Sequence, residues 1–221
     1  MKRTIGIILG STVVAAAATA TPLTVEVVDK NGKPTPNAVV VLQPASQGGK
    51  PPSSVPMEAT VAQEKMKFVP AVTLVARGAR VKFVNHDPWD HHVRSSPAGM
   101  MQAAAGGKSG FELRLEGQTE GKAPKAVEIT VSEPGVLGAN LLGCYIHGSM
   151  RGFIYVSDTP WAAKTGGDGQ AVFEDVPEGA VQVRVWQADQ LIDLPPQTLQ
   201  LGRAPAKISV QLQVVPRRER L

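Results

Sequence analysis

Apolar and polar residues alternate with period two along most of the chain, the spacing of strands half buried against a core. Leu23-Thr24-Val25-Glu26-Val27 alternates, Asp29-Lys30-Asn31-Gly32 supplies a turn, and residues 38–42 form a second, valine-rich apolar run. This predicts strand, turn, strand. Residues 72–75 and 81–84 flank Arg77-Gly78, residues 127–131 alternate before Pro134-Gly135, and residues 153–156 precede Asp158. The C-terminal part repeats the pattern in Ala171-Val172-Phe173, in residues 181–186 and in residues 208–214. No amphipathic helix longer than two turns is evident. Many short strands separated by Gly and Pro turns predict an all-β chain of antiparallel β-sandwiches.

Two stretches break the pattern. Residues 44–56 are dense in Pro, Ser, Gly and Gln and cannot supply a buried face, which marks a domain boundary, while residues 95–110, rich in Ala, Gly, Ser and Met, read as a surface loop. A second boundary is expected near Asp158-Thr159-Pro160, where a strand pattern meets a proline and restarts. At the start of the chain, Lys2 and Arg3 precede an apolar stretch that ends in Ala18-Thr19-Ala20, the small-x-small pattern of a signal-peptidase site. Residues 1–20 are therefore expected to be a cleaved signal peptide, since the run is short for a bilayer span and contains Gly10, Ser11 and Thr12. The mature protein is expected to be soluble and periplasmic, with no membrane insertion after cleavage. Losing Lys2 and Arg3 lowers the formal charge from +4 to +2, and the tail Arg217-Arg218-Glu219-Arg220 carries much of what remains. No basic face with interleaved aromatics is visible, so no nucleic-acid partner is expected.

Four histidines and one cysteine narrow the chemistry. They exclude Cys-rich zinc sites, iron–sulfur clusters, an internal disulfide framework, a dinuclear copper centre bridged by two cysteines, and the several sites of a multicopper oxidase. What remains is concentrated in Gly143-Cys144-Tyr145-Ile146-His147-Gly148-Ser149-Met150. A lone cysteine in an oxidising compartment must be buried or bonded to something. Taken singly, Cys144 reads as a small buried hydrophobe, His147 as a satisfied histidine and Met150 as a gap filler. Their joint spacing points to a metal. Thiolate and thioether favour Cu(I), imidazole suits both oxidation states, and two His with one Cys in a plane plus a weak axial Met is the electron-transfer copper site. The second imidazole must come from elsewhere, and Asn85-His86-Asp87-Pro88-Trp89-Asp90-His91-His92-Val93 offers it. Strand alternation turns adjacent side chains to opposite faces, so only one of His91 and His92 can face inward.

On these residues the segment from about Met57 to Asp158 resembles a cupredoxin, the type 1 blue-copper family of plastocyanin and amicyanin. The Cys144-x-x-His147-x-x-Met150 spacing is similar to that of amicyanin, and residues 81–85 followed by His91-His92-Val93 resemble the part of the family that carries the first ligand. The His-His-Val loop combined with Cys-x-x-His-x-x-Met-x-Gly-x-Ile-Tyr-Val most resembles plastocyanin-like proteins associated with methylamine utilization. The resemblance implies a Greek-key β-sandwich over residues 57–158 and a single copper ion cycling between Cu(I) and Cu(II). Its ligands would be His91, Cys144, His147 and Met150. Asn85 and Asp90 are candidates for orienting the ligands by hydrogen bonding, with turn formation the simpler reading of Asp90. His86 reads as a turn residue or a partner of a ligand, Met100 and Met101 as an ordinary loop, and Trp161 and Trp186 as packing residues.

The flanks resemble the two halves of a transthyretin-like, carboxypeptidase-regulatory-like sandwich, residues 25–42 its opening and residues 164–185 its second half. Each half is too small to bury both faces of a sheet, so residues 21–56 and 159–221 are expected to pair as a second, smaller β-sandwich into which the cupredoxin is inserted. The expected function is periplasmic electron transfer between redox proteins, without enzymatic turnover. A copper-binding carrier or sensor with no redox relay is the alternative, and a metal-free scaffold is a third reading.

Overall fold

The computed structural model describes residues 20–51, 55–98, 110–132 and 139–217. Most of the segment expected to be a signal peptide, together with Met100, Met101 and the last four residues of the chain, lies outside the described residues. Among the described residues every regular element is a strand, and no helix is long and apolar enough to cross a membrane.

Four sheets stack in layers. In the first, β1 (Ala20–Val28) lies between β13 (Gln170–Pro177) and β16 (Ala206–Gln211). The second has the order β12 (Ala162–Lys164), β2 (Val39–Pro44), β14 (Gly179–Trp186), β15 (Gln197–Leu201). The third runs β5 (Val72–Ala76), β11 (Arg151–Ser157), β10 (Ala139–Cys144), β7 (His91–Pro97), β8 (Glu112–Leu115). The fourth runs β4 (Lys67–Val69), β3 (Glu58–Glu64), β6 (Ala79–Asn85), β9 (Ala126–Val131).

Side-chain alternation assigns each strand's residues to a core. Leu23, Val25 and Val27 of β1 meet Val40, Leu42, Val181 and Val183 between the first and second sheets. Val61, Val81 and Phe83 meet Val93, Leu142, Cys144, Ile154 and Val156 between the third and fourth. A further core lies between the two middle sheets, where Val39, Val41 and Trp186 pack on Val72, Ala139, Phe153 and Tyr155. Strands β2 and β11 are therefore buried on both faces. Val39-Val40-Val41-Leu42 and Phe153-Ile154-Tyr155-Val156 read as unbroken apolar runs for this reason.

The sheets are not wholly antiparallel, which corrects the expectation from the sequence. Strands β1 and β16, β3 and β6, and β5 and β11 pair in parallel. The chain crosses from one sheet to the facing one and back, through β5 between β3 and β6, so the returning strand runs in the same direction as its new neighbour. The short turn Arg77-Gly78 connects strands of different sheets and does not form a hairpin, whereas Lys65-Met66 closes one between β3 and β4.

Trp186 stands at the centre of the middle interface, with its ring 5.5 Å from that of Phe153 and 5.6 Å from that of Tyr155. Aromatic pairs in such tilted arrangements contribute about 0.5–1.5 kcal/mol each beyond the area they bury. Trp186→Ala is expected to cost about 3–5 kcal/mol in equilibrium unfolding, the usual range for emptying a buried aromatic site. A midpoint close to that of the unsubstituted protein would mean that the middle interface contributes little.

Candidate metal centre

Strand β7 begins at His91 and β10 ends at Cys144, and the two pair antiparallel with Cys144 opposite Val93 and Gly143 opposite Arg94. The Tyr145 N–H continues the pairing by donating to the His92 carbonyl over 3.0 Å. After Cys144 the chain turns back into β11, and the Met150 N–H donates to the His147 carbonyl over 2.9 Å, closing a tight turn. One pairing thus brings the far end of the ligand loop to His91.

The result is a triangle of donor atoms. Cys144 Sγ lies 3.7 Å from His91 Nδ1 and 3.6 Å from His147 Nδ1, and the two Nδ1 atoms are 3.2 Å apart. First-row metal–nitrogen bonds of about 2.0–2.1 Å and metal–sulfur bonds of about 2.3 Å place N and S donors about 3.6–3.8 Å apart at trigonal angles. The three atoms therefore enclose one such ion. His91 and Cys144 are buried and His147 is half-buried. Met150 is almost fully buried in the same core cluster as Cys144. His92 faces the other way, with its ring 4.9 Å from that of Tyr145, and His86 is exposed.

The far side of His91 is fixed by a residue that the sequence did not single out. His91 Nε2 lies 2.9 Å from Asp87 Oδ2, and both are buried. Asp87 also accepts the backbone N–H groups of Lys65 at 2.6 Å and Met66 at 2.9 Å, in the turn joining β3 to β4. Burial alone would raise the Asp87 pKa, but hydrogen bonds from Met66, His91 and Lys65 outweigh it and hold the carboxyl below its ordinary value. As an ionised acceptor, Asp87 keeps the proton on Nε2 and leaves the Nδ1 lone pair facing the sulfur. Its contribution to stability is complete above the ordinary carboxylate range and is lost as pH falls through the lower folded value.

Asn85 and Asp90 shape the loop without touching the ligand rings through a hydrogen bond. The Asn85 amide donates to the carbonyls of Trp89 and Glu116 at 2.8 and 3.0 Å, and its oxygen accepts the Asp87 N–H at 2.9 Å. Asp90 accepts the Gly117 N–H and pairs with Arg114, tying the start of β7 to the end of β8.

No protein-family model matches the chain, and no curated protein matches it. Solved structures do. A reduced amicyanin variant is 24% identical over 53% of this chain and 99% of its own, with a TM-score of 0.30. Amicyanin from Paracoccus versutus is 23% identical over 52% of this chain and 97% of its own, with a TM-score of 0.32. A purple cupredoxin from Nitrosopumilus maritimus is 18% identical over 45% and 99%, with a TM-score of 0.33. The His91, Cys144 and His147 cluster fits a blue-copper site. Two imidazoles and one thiolate around a single point are the donors that copper takes in this geometry, so the set points to one copper ion.

Removing a carboxylate that orients a ligating imidazole typically costs about 10–100-fold in metal affinity. Asp87→Ala is expected to weaken copper binding by that factor in competition with a chelator, while Asp90→Ala, whose partners are Arg114 and Gly117, leaves it within a few-fold. Equal affinities for the Asp87 variant and the unsubstituted protein would show that His91 is held by packing alone.

Proposed function

We propose that the protein is an electron-transfer protein, acting in the periplasm after loss of residues 1–20, in which one copper ion is held by His91, Cys144, His147 and Met150. When bound, copper would supply a one-electron couple between Cu(II) and Cu(I). The observation that carries this reading is the triangle of two Nδ1 atoms and one Sγ, anchored by strand pairing and by Asp87. Cys144 supplies the thiolate, and the two imidazoles complete the plane. Met150, a soft thioether on the same loop, is read as the weak axial donor. A pocket fixed in advance changes little between oxidation states, which favours transfer over turnover.

The surroundings support docking of a redox partner at His147. Tyr145 and Ile146 on the ligand loop are exposed, as are Met66 and Trp89 on the two turns that meet at Asp87. Of these, Tyr145 and Ile146 directly precede half-buried His147 on the same loop, an apolar surface that suits brief contact with another redox protein, donor or acceptor. We read residues 57–158 as the copper unit, and residues 21–56 with 159–221 as a second unit that spaces or docks it. Neither membrane insertion nor nucleic-acid binding belongs to this reading.

Loading the purified protein with Cu(II) is expected to give an intense thiolate-to-copper band in the visible, reversible on reduction, and absent from Cys144→Ser. A colourless protein that binds Cu(I) alone would favour the carrier instead. In the same preparation Met150→Leu is expected to keep the band and raise the reduction potential, because a donor is lost and Cu(II) needs donors more than Cu(I). An unchanged potential would remove Met150 from the ligand set.

A further inference from the structure

The outer face of the third sheet changes character between two neighbouring rows. Leu141 and Phe153, paired across β10 and β11, pack in the core beneath the second sheet. Two residues nearer the metal end, Gly143 pairs with Arg151 on one side and with Arg94 on the other, and Arg94 pairs in turn with Glu112. Directly paired residues share a face and neighbours along a strand alternate, so this row points outward while Cys144 points inward. Arg94, Glu112 and Arg151 are exposed, and the space above Gly143 is open, since an added Cβ would meet nothing nearer than Arg94 Nε at 3.6 Å. Two guanidinium groups thus flank a bare hollow over the residue that precedes the thiolate. Each lies on an aromatic ring, Arg94 at 4.5 Å from the centre of Tyr145 and Arg151 at 5.8 Å from that of Phe153. Stacking of this kind holds a guanidinium in place and leaves its N–H edge to other partners. Neither arginine has a carboxylate partner among the described residues. The nearby acids are engaged elsewhere. Glu112 accepts the Tyr145 hydroxyl at 2.7 Å and lies 3.9 Å from His92 Nε2, and Asp90 pairs with Arg114.

Resting on the copper reading above, we infer that this row is a docking surface for an acidic redox protein, which lays a carboxylate side chain into the hollow over Gly143 between Arg94 and Arg151. Two arginines separated by two strand spacings, roughly 10 Å, hold an acidic side chain inserted between them through charge-assisted hydrogen bonds. Charge selects the occupant, because a neutral or basic partner leaves both guanidinium groups unpaired. This contact is distinct from that at His147. It reaches the copper from the strand side, where the Gly143 carbonyl carbon connects to the Cys144 sulfur through covalent bonds alone. One electron passes between the partner's redox centre and the copper, and the donor is oxidised by one as the acceptor is reduced by one. The second sandwich bounds the surface, since its cover of this face ends at Leu141 and Phe153.

The test uses the full chain loaded with copper. Hexacyanochromate(III), a paramagnetic trianion that exchanges no electron with copper, is added to the diamagnetic Cu(I) protein. Broadening of proton resonances is expected to centre on Arg94, Gly143 and Arg151, and broadening centred on His147 or Arg217 would overturn the inference. This measurement needs no variant. Reduced plant-type ferredoxin, an acidic one-electron carrier, then serves as donor to the Cu(II) protein. Arg94→Gln combined with Arg151→Gln is expected to slow that reduction at low ionic strength by about tenfold or more. Gly143→Leu, which keeps both charges and fills the hollow, is expected to slow it as well, while reduction by uncharged hydroquinone stays the same in every variant. A ferredoxin rate unchanged in either variant, or an equal loss with hydroquinone, would overturn the inference. If the unsubstituted protein shows the thiolate-to-copper band, those results overturn only the docking surface. Absence of the band would overturn the copper reading and this one together.

Discussion

The pairing of β10 with β7 is the constraint on which the metal centre depends. It sets Cys144 opposite Val93 and so places its sulfur 3.7 Å from His91, although the two residues are 53 apart in sequence. Side chains alternate across a strand, so a slip of one residue in β10 would turn Cys144 out of the core, and the same slip in β7 would turn His91 away from the ligand loop. The cores on either side of β10 and β11 hold that register. Val93, Leu142 and Ile154 lock the inner face, and Ala139, Phe153 and Tyr155 lock the outer face against the neighbouring sandwich. A strand buried on both sides has little freedom to slip.

From that fixed point the electrostatics follow. Asp87 is buried because backbone N–H groups from another turn satisfy one side of it and the His91 ring the other. A buried carboxylate with these three donors remains charged, and its charge decides which imidazole nitrogen faces the sulfur. Asn85 braces the same loop through the carbonyls of Trp89 and Glu116. The three donor atoms are thus held by hydrogen bonds and packing from strands and turns outside the ligand loop, the condition for small rearrangement on oxidation and reduction.

Much of the site was legible in the sequence, because ligand chemistry and spacing are local properties. Cys144, His147 and Met150 lie on one loop, and alternation alone limits the inward choice to one of His91 and His92. The apolar runs at residues 39–42 and 153–156 carry the mark of strands covered on both faces, a signal that four sheets stack rather than two. Asp87 was not legible in the same way. Asn85, Asp87 and Asp90 are all short polar residues in one loop, and which of them reaches a ligand depends on the turn at Lys65 and Met66, some twenty residues earlier. Strand direction was also hidden, since a turn of Arg77-Gly78 looks the same whether it closes a hairpin or carries the chain to the facing sheet.

X-ray absorption at the copper edge of the loaded protein tests the central claim most directly. The expected spectrum contains one short copper–sulfur distance and the multiple-scattering pattern of two imidazoles. A first shell of nitrogen and oxygen alone, with no sulfur, would contradict it.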